Sequence, residues 1–123
     1  MEDFVTFEIA KKLKEKGFDY PCIGHYVNNQ LYVAHYQNAF HSDNDESVDA
    51  PTISQVLKWL RDEKGTHINV VIWEEGWYVD VWVYEFDEAE KEYSTQFRHQ
   101  SDNYKSYEQA ALVGIKYVLD NLI

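Results

Sequence analysis

In Trp77-Tyr78-Val79-Asp80-Val81-Trp82-Val83-Tyr84-Glu85-Phe86 the stretch from Tyr78 to Tyr84 alternates residue by residue between aromatic or polar and aliphatic side chains. Side chains on an extended strand point to opposite faces in turn. Val79, Val81 and Val83 therefore share one face, which belongs under helices, and Tyr78, Asp80, Trp82 and Tyr84 share the other. Just upstream, His67 to Trp73 reads as a partner strand across Glu74-Glu75-Gly76, a hairpin signal. A three-residue turn there would set Val70 opposite Asp80 on one face. A two-residue register or a bulge would match apolar to apolar. A fifth strand is expected near Tyr93 to His99, after the acidic turn Asp87–Glu92.

The same grammar appears earlier in the chain. Cys22 to Val27 and Leu31 to Tyr36 flank Asn28-Asn29-Gln30, residues that tolerate left-handed backbone. Residues 37–50 read as a polar loop. Three helices punctuate these strands, each with a start signal and a period near 3.6. Thr6 caps a helix from about Phe7 to Lys16, with Phe7, Ile9, Ala10 and Leu13 as its buried stripe and Gly17 as its stop. Thr52-Ile53-Ser54-Gln55 is a capping box opening a helix that buries Ile53, Val56, Leu57 and Leu60 and ends at Gly65. Ser106-Tyr107-Glu108-Gln109 opens a last, weakly charged helix, 106–123. Gly114 lies where a neighbouring backbone comes close.

The expected fold is α+β in the order αββαββ(β)α: an antiparallel sheet of four or five strands with three helices mainly on one face. The chain reads as a single domain, 1–123. Within it, helix–hairpin units 4–36 and 50–86 form a pseudo-repeat closed by helix 106–123. Its 123 residues suffice for one core and no second domain.

The run Ala50-Pro51-Thr52-Ile53-Ser54-Gln55-Val56-Leu57-Lys58-Trp59-Leu60-Arg61-Asp62-Glu63-Lys64-Gly65, followed by His67-Ile68, resembles segments of small uncharacterised proteins encoded by gut Bacteroidales bacteria and their phages or mobile elements. Ser106-Tyr107-Glu108-Gln109-Ala110 through Gly114-Ile115 and the opening Asp3-Phe4-Val5-Thr6-Phe7 are similar to the same group. The resemblance implies an origin and carries no activity or site residue with it.

Composition removes several classes. The chain holds 20 aromatics (four Trp, ten Tyr, six Phe), more burial than disordered chains offer. Cys22 is its only cysteine, which excludes a disulfide scaffold. Its longest apolar run, Val79 to Tyr84, is broken by Asp80, so no membrane span is expected. The acidic start, Met1-Glu2-Asp3, does not read as a secretory signal, and a cytoplasmic location is expected. Two segments, 43–49 at −4 and 74–92 at −7, account for the whole net charge of −11. That sign disfavours direct binding of nucleic acid or an anionic membrane. Solubility is the plain reading of the acidity.

Chemical motifs are few. Asp43-Asn44-Asp45-Glu46-Ser47-Val48-Asp49 opens like a calcium loop, but Val48 and Ser54 stand where that loop needs Gly and a bidentate Glu. Cys22, His25, His35 and His41 are metal-capable, yet Cys22 and His25 point to opposite faces of a strand. His25 and His35 share a face if the first turn has three residues and separate if it has two. No nucleophile elbow or glycine-rich phosphate loop is present. No catalytic residue, metal or cofactor is therefore assigned. The strongest candidate site is the aromatic face Tyr78, Asp80, Trp82 and Tyr84, a composition enriched at protein interfaces. It suggests a non-enzymatic interaction module for another protein or a second copy. The alternatives are a nucleic-acid mimic built from the two acidic segments, or a small-ligand-binding protein using the histidines.

Overall fold

The computed structural model describes residues 3–33 and 47–123. Its elements are α1 (Phe7–Glu15), β1 (Gly24–Val27), β2 (Gln30–Val33), β3 (Ser47–Ala50), α2 (Ile53–Lys64), β4 (Thr66–Trp73), β5 (Gly76–Asp87), β6 (Glu92–Gln100) and α3 (Tyr107–Asn121). The class is α+β, but the strands form two antiparallel three-stranded sheets, ordered β2-β1-β3 and β4-β5-β6, instead of one larger sheet. The chain divides into two compact units, Met1–Val56 and Leu57–Ile123.

In the first unit the Thr6 hydroxyl accepts the Ile9 N–H at 3.3 Å, and Ile9, Ala10 and Leu13 are buried. The helix stops at Gly17, whose φ of +87° suits a residue without Cβ. The first hairpin has a two-residue turn: Val27 pairs with Gln30, and Asn28 and Asn29 both take positive φ, 51° and 66°. Those angles are the signature of a type I′ turn, whose twist matches that of the flanking strands. Gln30 thus belongs to the strand and not to the turn.

The larger correction is β3. Residues 47–50, expected in a loop, pair with the other side of β1, Val27 opposite Ser47 and Gly24 opposite Ala50. Their polar, acidic sequence context hides a strand that is mostly buried. The N-terminal segment is zipped beside the entry to α2. The Val5 N–H donates to the Pro51 carbonyl at 3.0 Å, and the Ile53 N–H to the Asp3 carbonyl at 2.9 Å. The α2 capping box closes reciprocally: the Gln55 N–H reaches the Thr52 hydroxyl at 3.2 Å and the Thr52 N–H reaches Gln55 Oε1 at 2.9 Å.

In the second unit the register is again that of a two-residue turn. Trp73 pairs with Gly76, and Val70 meets Val79, the apolar match. Gly76, at φ +136°, takes the conformational demand that the two asparagines carry in the first hairpin. A bulge between β5 and β6 skips Arg98, since Trp82 pairs with Phe97 and Val81 with His99. α3 packs on β4 and β5, burying Ala110, Ala111, Ile115, Val118 and Leu119 with Ile68, Val79 and Val81. Gly114 permits this approach, but towards side chains. A Cβ there would lie 3.0 Å from Ile68 Cγ2 and 3.1 Å from Val79 Cγ2. The α3 cap is offset from the expected box: Ser106 accepts from the Gln109 N–H, while Gln109 Oε1 accepts from the Lys105 N–H.

Both units run helix, then hairpin, then a third strand. In the first the third strand joins the leading strand of the hairpin, and in the second the trailing one.

Candidate functional site

The second sheet has two unlike faces. Val79 and Val81 are fully buried on the side of α3, and on the same side the His99 ring stacks on Tyr117 at 3.9 Å. Tyr78, Asp80, Trp82 and Tyr84 lie together on the opposite face, all half-buried. Their neighbours follow from the register: Val71 beside Tyr78, Asn69 and Gln100 beside Asp80, His67 and Phe97 beside Trp82, Thr95 beside Tyr84.

Register brings more aromatic side chains to this face than β5 alone supplies. Trp73, Phe86, Tyr93 and Phe97 join it, exposed by 57%, 39%, 65% and 49%. Trp82 meets Phe97 edge-on at 5.2 Å, and Tyr93 meets Phe86 at 4.9 Å and Tyr84 at 6.0 Å. Such edge-to-face pairs let the ring quadrupoles attract, and they hold the rings in place. Tyr93, Thr95 and Phe97 alternate as β6 demands. Their partners on β5 were not legible, because pairing depends on the length of the turn before them.

Arg61 and His67, also missed, shape a hollow on this face. The Tyr84 hydroxyl donates to the Arg61 carbonyl at the end of α2. A concavity of about 570 Å³ follows, lined by Arg61, His67, Trp82, Tyr84, Tyr93 and Thr95. Among the described residues the Arg61 guanidinium has no ion-pair partner. The hollow is thus bordered by aromatic residues and one arginine on a protein of net charge −11.

The acidic segment 74–92 does not gather into one cluster. Glu74 and Glu75 sit at the turn between β4 and β5, whereas Asp87, Glu88, Glu90 and Glu92 sit at the turn between β5 and β6. Strand rise puts these turns roughly 40 Å apart. There the Asp87 carboxylate accepts from the Ala89 and Glu90 N–H groups at 2.9 and 3.1 Å, a structural task for one of the acids. Asp43, Asp45 and Glu46 lie outside the described residues, and Asp49 belongs to β3 opposite His25.

Of the metal-capable set, His35 and His41 also lie outside the described residues. The Cys22 thiol is buried and donates to the Tyr20 carbonyl at 3.2 Å. Burial, and then the Asp49 carboxylate, push its pKa up to about 12. His25 faces Tyr32 across the first hairpin, ring over ring at 5.7 Å. No group of three or more His, Cys, Asp or Glu among the described residues is placed to hold a metal ion. Among those residues no helix is long and apolar enough to cross a membrane.

Compared with family models, curated proteins and solved structures, the chain matches none.

Proposed function

We propose that this chain is a non-enzymatic interaction protein that presents the aromatic face of its second sheet to a protein surface. The observation that carries this reading is the set Trp73, Trp82, Tyr84, Phe86, Tyr93 and Phe97 on one sheet face opposite α3. Four of them are more than a third exposed. Tryptophan and tyrosine dominate binding energy where they are found at interfaces, because each buries a large rigid surface at small entropic cost. Acidic turns at both ends of the hairpin keep such a surface soluble and discourage anionic partners.

The test is capture of a binding partner by the native protein and by Trp82→Ala/Phe97→Ala, washed at high salt. Retention by the native protein and loss by a variant whose circular dichroism and melting are unchanged support the reading. Unfolding of that variant would make the rings core, and undiminished capture would move the interface elsewhere.

A second reading is favoured by the hollow beside Arg61. Its volume of about 570 Å³ falls within the range of small-molecule sites. Aromatic walls beside an arginine that has no ion-pair partner among the described residues suit a planar anion, through stacking and charge-assisted hydrogen bonds. Titration of Trp fluorescence with aromatic carboxylates and nucleotides tests it. Saturable quenching that Arg61→Ala abolishes supports a ligand site, and a flat response to millimolar ligand removes it.

Nucleic-acid mimicry stands behind both. It draws on the charge and on the likeness to mobile-element proteins, but six of the eight carboxylates of 74–92 are divided between two distant turns. A partner captured at low salt and lost at high salt would bring it forward.

A further inference from the structure

β6 is an edge strand, and every residue from Glu92 to Arg98 is exposed. The backbone hydrogen bonds along β5 reveal which groups of β6 face outward. The Tyr84 N–H donates to the Gly65 carbonyl on the β4 side, whereas the Val79 carbonyl and both Trp77 backbone groups bond on the β6 side. Even-numbered residues of β5 therefore address β4, and odd-numbered residues address β6. Val83 pairs with Gln96, Glu85 with Ser94 and Asp87 with Glu92, so those three residues of β6 spend their N–H and C=O groups on β5. The N–H and C=O groups of Tyr93, Thr95 and Phe97 point away from the sheet.

These three outward residues are self-complementary. An antiparallel second copy with its two-fold axis at Thr95 sets Thr95 opposite Thr95 and Tyr93 opposite Phe97, every pair joining outward-facing groups. About six backbone hydrogen bonds follow. The same register sets Glu92 opposite Arg98, twice, by symmetry. Aromatic pairs, Thr–Thr pairs and opposite charges are the cross-strand combinations that stabilise antiparallel ladders. Shifting the register by two residues in either direction loses the charge pairs and the Tyr–Phe pairs together.

We propose that two copies of this chain join through β6 in this register. The result is a continuous six-stranded sheet whose aromatic faces merge across the two-fold. The bulge at Arg98 limits the regular run and so sets the length of the ladder. Unprotected edges invite strand addition, and an isologous pairing closes after two copies, so it does not propagate into a fibre. This inference rests on the interaction reading and names the partner as a second copy.

The experiment is sedimentation equilibrium of the full chain at rising concentration, with Thr95→Pro and two charge variants. Wild type should approach twice the 14.6 kDa monomer mass. Proline at 95 deletes an outward N–H and spares the ladder to β5, since edge strands tolerate it there. It should weaken dimerisation at least tenfold with its circular dichroism unchanged. Should Thr95→Pro unfold, the charge variants decide. Arg98→Glu should weaken the dimer, and Glu92→Arg/Arg98→Glu should restore it, because the swap rebuilds both pairs. A monomer at every concentration overturns the β6 dimer and leaves the aromatic face to be judged by its own capture test. A dimer indifferent to Thr95→Pro and to the charge swap, yet lost in Trp82→Ala/Phe97→Ala, overturns edge pairing and keeps the face as the interface.

Discussion

The two sheets have equal strand numbers and are built in different ways. The first has strands of four residues each, and its central strand β1 takes one neighbour from the hairpin and one from beyond residues 34–46. The second is a meander of 8, 12 and 9 residues in which each strand pairs with the next in sequence. Their turns differ as well. Asn28 and Asn29 absorb the left-handed conformation themselves, while Glu74 and Glu75 pass it to Gly76. Long neighbouring strands declare themselves through alternation. A short strand recruited from a distance is recognised only by what buries it.

The contrast can be broken most forcefully at Gly76. A Cβ there would stand 2.4 Å from the Tyr104 carbonyl oxygen at φ +136°. Gly76→Val should cost roughly 3 kcal/mol or more, read as a lowered urea midpoint. Gly17 also has positive φ, but nothing lies within 4 Å of its Cβ position, so Gly17→Ala should cost only about 1 kcal/mol. Equal losses at the two sites would mean that backbone conformation alone, and not crowding, sets the difference.

A smaller effect sharpens the account of burial in the first unit. With its pKa raised from 9.0 to about 12, the folded Cys22 thiol should carry about a thousandfold less thiolate near pH 8 than an exposed one. Labelling with a disulfide reagent should slow accordingly and recover in denaturant. The raised pKa means that the folded state favours the neutral thiol. This contribution to stability is complete below pH 9 and is lost as pH climbs from 9 towards 12. Rapid native labelling would show that the first unit opens locally.

The smallest effect lies at the first turn. Asn29→Gly relieves a positive φ of 66° and should stabilise by about 0.5 kcal/mol, measured as a raised melting temperature. A destabilised variant would show that the asparagine side chain contributes more than its tolerance of the left-handed region.

Much of the second unit was legible. The alternation of Val79, Val81 and Val83 against Tyr78, Asp80, Trp82 and Tyr84 follows from strand geometry, and the structure keeps the two sets on opposite faces. The helix starts at Thr6, Thr52 and Ser106 were readable because capping is a contact over three residues. β3 was not readable. Ser47-Val48-Asp49-Ala50 is only four residues long and follows a run of acids, and its burial comes from pairing with β1 and packing against α1. The site was half readable for a related reason. Phe97 and Tyr93 reach Trp82 and Tyr84 only through the register that a four-residue turn sets, and Arg61 arrives from the end of a helix.

By itself the sequence determined the α+β class, the helix caps, the hairpins and the aromatic side of β5, because each depends on residues a few positions apart. Tertiary structure alone decided that the strands part into two sheets and that 47–50 completes the first. It also decided which side chains surround Trp82 and which backbone groups of β6 face solvent. Those outcomes depend on register, where one residue more or less in a turn exchanges the faces of an entire strand.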